Sequence, residues 1–267
     1  MSLFKAVKAY ARLTGAHFAC NLRSAMEYRA NFLLQVFGML LNNACFIIFW
    51  RVLLARAGTV AGYGFKDVMF LWSLAASAFG LGHIVFGNAP RLGSLVVNGQ
   101  LDIFLLQPKN VLLNASLARS EVSAWGDLAY GIILLALAVR PGPGGWVLFA
   151  LFTVSGAILY MASYALVECL YFLLGNARGI SAAFGEMILS ATLYPDRIFP
   201  ASVRALFYSL LPAGYIVFVP LRAFKALDPG WAALALGASI AYALLAFAAF
   251  NSGLRRYESG NLVGTRV

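Results

Sequence analysis

Of the 267 residues, 62% are hydrophobic and 11% charged, with a mean hydropathy of +0.81. A water-soluble domain of this length needs far more charged surface, so the bilayer is the solvent for most of the chain. The net charge of +10 then points to anionic lipid head groups and basic loops, and away from nucleic acid.

The opening stretch, MSLFKAVKAYAR, is interrupted by basic residues before an apolar core develops, unlike a signal peptide. Phe4, Val7, Ala11, Phe18 and Leu22 recur at helical spacing, with Lys5, Lys8 and Arg12 on another face. This predicts an interfacial helix over residues 1–29, its basic side toward head groups.

The first span is predicted over Asn31–Trp50, about twenty residues, as a ~30 Å hydrocarbon core requires. Its Gln35, Asn42 and Asn43 should face other helices, because an unpaired amide in lipid is costly. A second span follows over Val68–Phe86, where Ala75, Ala78, Gly80 and Gly82 permit close helix packing. The next segment, Arg91–Asn110, is too polar and too rich in turn residues for lipid: Asn98-Gly99 and Pro108 bracket a short apolar run, Leu101–Leu106. A third helix is expected from Val111 through the interfacial Arg119 and Glu121 to Val139. The turn at Arg140–Gly145 leads to a fourth span, Trp146–Leu174, and Gly175–Gly179 to a fifth, Ile180–Tyr194. The last, Trp231–Phe250, has no ionisable residue.

Between the last two lies Pro195–Pro229, with five of the nine prolines. Its apolar run, Ala205–Val219, is interrupted by Pro212 and Gly214 and is too short to cross unaided. It reads as two short helices that enter the membrane and return, with protein or water covering the exposed backbone. Six spans place both termini on one side. That side receives twelve of the 20 Lys and Arg residues, from Lys5 to Arg266, and the other side eight, the bias expected for cytoplasmic termini.

Signatures of catalysis are lacking. There is no phosphate-binding G-x-x-x-x-G-K-[ST] loop, no H-E-x-x-H and no G-x-S-x-G. Cys20, Cys45 and Cys169 show no paired spacing, His17 and His83 are far apart, and neither a disulfide framework nor a metal site is implied. Ionisable residues at membrane depth are candidates for a substrate path. Glu186 leads, being two turns into the fifth span before Tyr194-Pro195, and Asp127 follows. Asp127 could equally orient the bundle, Glu168 could pair with Arg178, and His83 ranks with Glu168.

Gly99-Gln100-Leu101-Asp102-Ile103-Phe104-Leu105-Leu106-Gln107-Pro108, with Tyr194-Pro195-Asp196-Arg197-Ile198-Phe199-Pro200 and Pro212…Pro220, resembles the type-2 ABC exporter permease family. More narrowly, these motifs look like a bacterial subgroup that pairs two different permeases with a separate ATPase. The resemblance implies one all-α membrane domain over residues 1–267: an N-terminal interface helix, six transmembrane helices, a coupling segment at 91–110 and an outer re-entrant hairpin at 195–229. It implies ATPase coupling through Arg91, Leu101, Asp102, Phe104, Leu105 and Pro108, and an outer gate at Pro195, Phe199, Pro212 and Pro220. Glu186, Tyr194 and Asp127 would then line the path.

ATP and Mg would sit on two copies of the ATPase, with no cofactor in this chain. The second permease would be a related chain, otherwise a second copy of this one. The expected place is the bacterial inner membrane, multi-pass, and the expected cargo a small amphiphilic or drug-like compound moved outward. The alternatives are a self-contained secondary transporter or channel, a lipid or polysaccharide exporter subunit, and a membrane-embedded transferase.

Overall fold

In a computed structural model, which describes residues 3–257, the regular elements are helices, with one isolated antiparallel bridge between Val60 and Tyr63. Residues 258–267, Arg266 among them, and the side chains of Phe4 and Val7 lie outside the described residues. Helix α1 (Leu3–Ala25) precedes α2 (Arg29–Ala57), which Gly58 ends at positive φ. The chain turns back into α3 (Phe65–Phe86), where the Asp67 carboxylate accepts the Gly64 N–H at 3.1 Å and caps the first turn. Three short helices follow: α4 (Leu92–Val97), α5 (Asp102–Leu105) and α6 (Val111–Leu117). Next, α7 (Ala124–Leu134) widens into a π turn over Leu135–Val139, and α8 (Pro143–Glu168) starts with proline where no N–H is needed. Then come α9 (Tyr171–Leu174), α10 (Arg178–Leu193) and α11 (Ala201–Phe207). A π turn at Gly214–Phe218 runs into α12 (Val219–Ala226), and α13 (Pro229–Leu254) is capped by Asp228, which accepts the Gly230 N–H at 2.8 Å.

Helix α3 is the axis of the bundle, buried over most of its length. It packs antiparallel to α7, where a Cβ on Gly131 would come within 2.1 Å of Ser77 Oγ, so only glycine allows this approach. Its small residues serve the use expected of them: Gly80 meets α7, and Ala78 and Gly82 meet α8. Beyond α8 lies α13, held where Ser155 Oγ donates to Ser239 Oγ at 3.2 Å. Helix α10 packs back on α8 through the Tyr160–Thr192 hydroxyl pair at 2.6 Å. By contrast, α2 is exposed along almost its whole apolar length.

Four helices are long and apolar enough to cross a membrane: α2, α3, α8 with α9, and α13. The apolar helix Ala124–Val139 is shorter, and α10 has 16 residues. The continuous third helix expected from Val111 to Val139 is interrupted at residues 118–123. There the backbone bonds to the end of α3 instead of continuing a helix: the Glu121 N–H donates to the His83 carbonyl at 3.1 Å, and the Asn88 N–H to the Ser116 carbonyl at 3.2 Å. The 195–229 segment is a chain of short helices, as its prolines require. Its second arm is inserted in the core, with Ile216 close to Gly156, midway along α8.

Candidate coupling site and the opposite end of the bundle

The 91–110 segment lies at the end of the bundle shared by α1 and the end of α13. Gly99, at φ +68, turns the chain so that the Leu101 N–H donates to the Leu95 carbonyl at 3.2 Å. Leu101 is 0% exposed and packs with Leu92, Val96, Ala115 and Phe250; Phe104 lies partly buried on the same cluster. The single turn of α5 therefore shows solvent a different set: Ile103 at 62%, Leu105 at 41% and Leu106 at 88% exposure. The expectation that Leu101, Phe104 and Leu105 form one outward face is thus corrected, because Leu101 is consumed by the chain's own core. Asp102 stands beside Tyr257, and burial together with this carboxylate pushes the phenol up to about 12. Pro108 is exposed.

Three contacts tie the segment to the bundle. The buried Glu168 carboxylate at the end of α8 accepts the Gly93 N–H at 2.7 Å, and not a contact from Arg178 as the sequence suggested. Gly93 is required there, since a Cβ would lie 2.0 Å from the Tyr171 ring. Arg91 pairs with Glu121 at 3.4 Å, on the surface. On the other flank, His17 of α1 meets Asn114 Oδ1 at 3.0 Å, and Asn114 Nδ2 donates to Gln107 Oε1 at 2.9 Å, linking α1, α6 and the segment. Gly93, Gln107, Asn114 and His17 escaped sequence reasoning; a backbone donor and three scattered polar residues leave no spacing signal.

The proposed path residues are not brought together. Asp127 is buried and accepts from Asn43 Nδ2 at 2.7 Å, joining α7 to α2 and giving Asn43 the helix partner its depth demands. Glu186 is on the exposed side of α10, and Tyr194 lies at the far end with its ring 6.1 Å from Trp50.

At that opposite end, sequence reasoning passed over Asp196. It is 3% exposed and accepts from the Tyr63 hydroxyl at 2.6 Å and from Tyr208 at 3.4 Å, with the Arg222 guanidinium at 3.9 Å. Burial and this carboxylate push the Tyr63 hydroxyl well above its ordinary range. Arg222 also stacks 5.3 Å over Trp231, and Lys225 pairs with Asp67 at 2.7 Å. Of the four expected gate residues, Pro195, Pro212 and Pro220 are buried, and Phe199 meets Phe207 edge-on at 5.1 Å. Where the helical backbone of the 195–229 segment is interrupted, tyrosines supply donors: Tyr215 to the Tyr208 carbonyl at 3.2 Å, and Tyr242 to the Ser209 carbonyl.

A family model described as ABC-2 family transporter protein matches residues 40–261, which include every element from within α2 to the end of α13. The chain belongs to that family. No curated protein and no solved structure matches it. As an ABC-2 permease it is a multi-pass membrane protein and a transport subunit of an ABC transporter, and it implies a partner ATPase. The resemblance carried by the Gly99–Pro108 and Tyr194–Pro200 motifs therefore holds at the level of the family.

Proposed function

We propose that this ABC-2 permease is one half of the membrane channel of an exporter that moves a small amphiphilic compound outward across the bacterial inner membrane. It crosses six times, through α2, α3, α7, α8, α10 and α13, with both termini cytoplasmic and the 195–229 segment as a re-entrant hairpin on the outside. The companion permease is a related chain, and two ATPase copies carry ATP and Mg. Glu186 and Tyr194 line the path once the second permease closes it, with Asp127 setting the α2–α7 angle at its edge. Pro195, Phe199, Pro212 and Pro220 form the outer gate.

One observation carries the reading. The Arg91–Pro108 segment is anchored inward by Leu101 and at Gly93, and it turns Ile103, Leu105 and Leu106 outward on a single helical turn. An apolar knob on a rigid mount suits a cleft in an ATPase that must push on it, with Asp102 and Phe104 at its base. The test is co-purification of the cognate ATPase and transport-linked ATP hydrolysis. Leu106→Asp and Phe104→Ala should insert normally and lose both, while Arg140→Ala at the opposite end should lose neither. Full ATPase binding and transport in both loop variants would overturn the coupling assignment.

A further inference from the structure

A recess of about 480 Å³ opens between α1, α6, α8 and α13, beside the end of α3, at the end of the bundle that carries the 91–110 segment. Its size falls within the ~300–1,000 Å³ usual for small-molecule sites. Small side chains give it depth: Ala89, Ala165 and Ala246 are buried and form its floor with Met161. Tyr10 and Phe247 are its exposed lining residues and mark the mouth. Leu244, one turn before Phe247, is exposed as well, so the mouth borders the outward apolar side of a helix long enough to cross the membrane.

The lining rules out most occupants. Among the described residues, no charged side chain lines the recess. Two of its polar side chains are engaged by the backbone of α6: Asn110 Oδ1 accepts the Leu113 N–H at 2.9 Å, and the Ser116 hydroxyl donates to the Leu112 carbonyl at 2.7 Å. An ordered water needs about two to four polar partners, which such walls do not supply. An ionic group inside would be desolvated without compensation. Left empty, the void would deprive its walls of dispersion contacts. Hydrocarbon is the occupant that remains, and the mouth faces the bilayer that supplies it.

We propose that this recess holds one unbranched alkyl chain of a membrane amphiphile, its tail against Ala165 and Ala246 and its other end leaving past Tyr10 and Phe247. The site stands independently of the exporter reading, because its test needs neither ATPase nor transport. The full chain is placed in phosphatidylcholine nanodiscs with a trace of dodecanol bearing a diazirine at its terminal carbon, and photolabelled peptides are mapped by mass spectrometry. Labels should concentrate on residues 112–116, 158–165 and 243–247 over the exposed Phe37 and Leu41 of α2, and unlabelled dodecanol should compete them away. Ala165→Leu combined with Ala246→Leu fills the recess and should lower its labelling about tenfold, with α2 labelling unchanged. Ala243→Leu, at a half-buried position of the wall, should lower it in part and serves where the double variant folds poorly. Adamantanol, a compact ring of similar apolarity, should compete weakly. The same diazirine on an acyl chain of phosphatidylcholine identifies the source. Labelling of the recess assigns it to a bilayer lipid, and its absence to a single-chain amphiphile; both support the site. Labelling by dodecanol no denser than on α2, labelling that does not saturate, equal competition by adamantanol, or unchanged labelling in both filled variants overturns it.

Discussion

The Tyr63 hydroxyl donates to the buried carboxylate of Asp196 at 2.6 Å, across 133 residues of sequence. This bond fastens the start of the 195–229 segment to the turn between α2 and α3, and Arg222 and Tyr208 close the cluster from the segment's second arm and its bend. Tyr63→Phe should therefore loosen this end selectively. A hydrogen bond to a charged group contributes about 1.5–3 kcal/mol, so thermal unfolding in detergent should begin at lower temperature. Proteolysis or hydrogen exchange should localise the change to residues 195–226. Uniform exchange across the bundle would refute the clamp.

The pair Asn43–Asp127 separates a structural carboxylate from a transport one. Asn43→Leu leaves Asp127 buried and unbonded, with an expected loss of about 3 kcal/mol. Asp127→Asn keeps a hydrogen-bonding partner for Asn43 and should cost much less. If Asp127→Asn abolishes transport at normal thermal stability, the residue does more than join α2 to α7.

Leu101 and Leu106 lie five positions apart and should behave oppositely. Leu101→Ala empties a site in the core and should lower stability by ~2–5 kcal/mol. Leu106→Ala, on the surface, should leave the unfolding temperature unchanged and weaken ATPase association. Equal thermal losses in the two variants would contradict the orientation of α5.

Gly93→Ala probes the joint between the 91–110 segment and α8. The added methyl must displace the Tyr171 ring and draw the N–H away from Glu168. Expected outcomes are normal membrane insertion, a modest fall in unfolding temperature and a larger fall in transport per ATP hydrolysed. Tyr171→Ala in the same chain should relieve part of the loss by making room, and absence of any relief would argue against this contact.

Topology is open to reporter fusions. Those after Pro108, Arg178 and Arg266 should read cytoplasmic, and one after Pro143 should read outside. An outside reading at Arg266 would mean that the Ala205–Val219 run crosses the membrane.

Sequence alone determined what a bilayer enforces. An apolar run must form all its backbone hydrogen bonds within itself, so the long spans Asn31–Trp50 and Trp231–Phe250 fall inside α2 and α13. Pro141 and Pro143 marked the turn before α8, and the prolines from 195 to 229 marked a segment unable to form one straight helix, because a proline lacks the N–H a helix interior needs. Tertiary structure decided what depends on the partner. The third apolar stretch reads as helix throughout, yet residues 118–123 bond to the end of α3, a competitor no local pattern displays. Leu101 and Leu105 are alike in sequence, but only packing against Phe250 and Ala115 sends one inward. Glu168 has a plausible cation ten residues away in Arg178 and instead accepts a backbone N–H 75 residues upstream. Asp196 drew no attention among prolines because its donor, Tyr63, lies in a distant turn. Apolar burial is legible one residue at a time, whereas a hydrogen bond is a property of two groups, and the chain reveals the second only when folded.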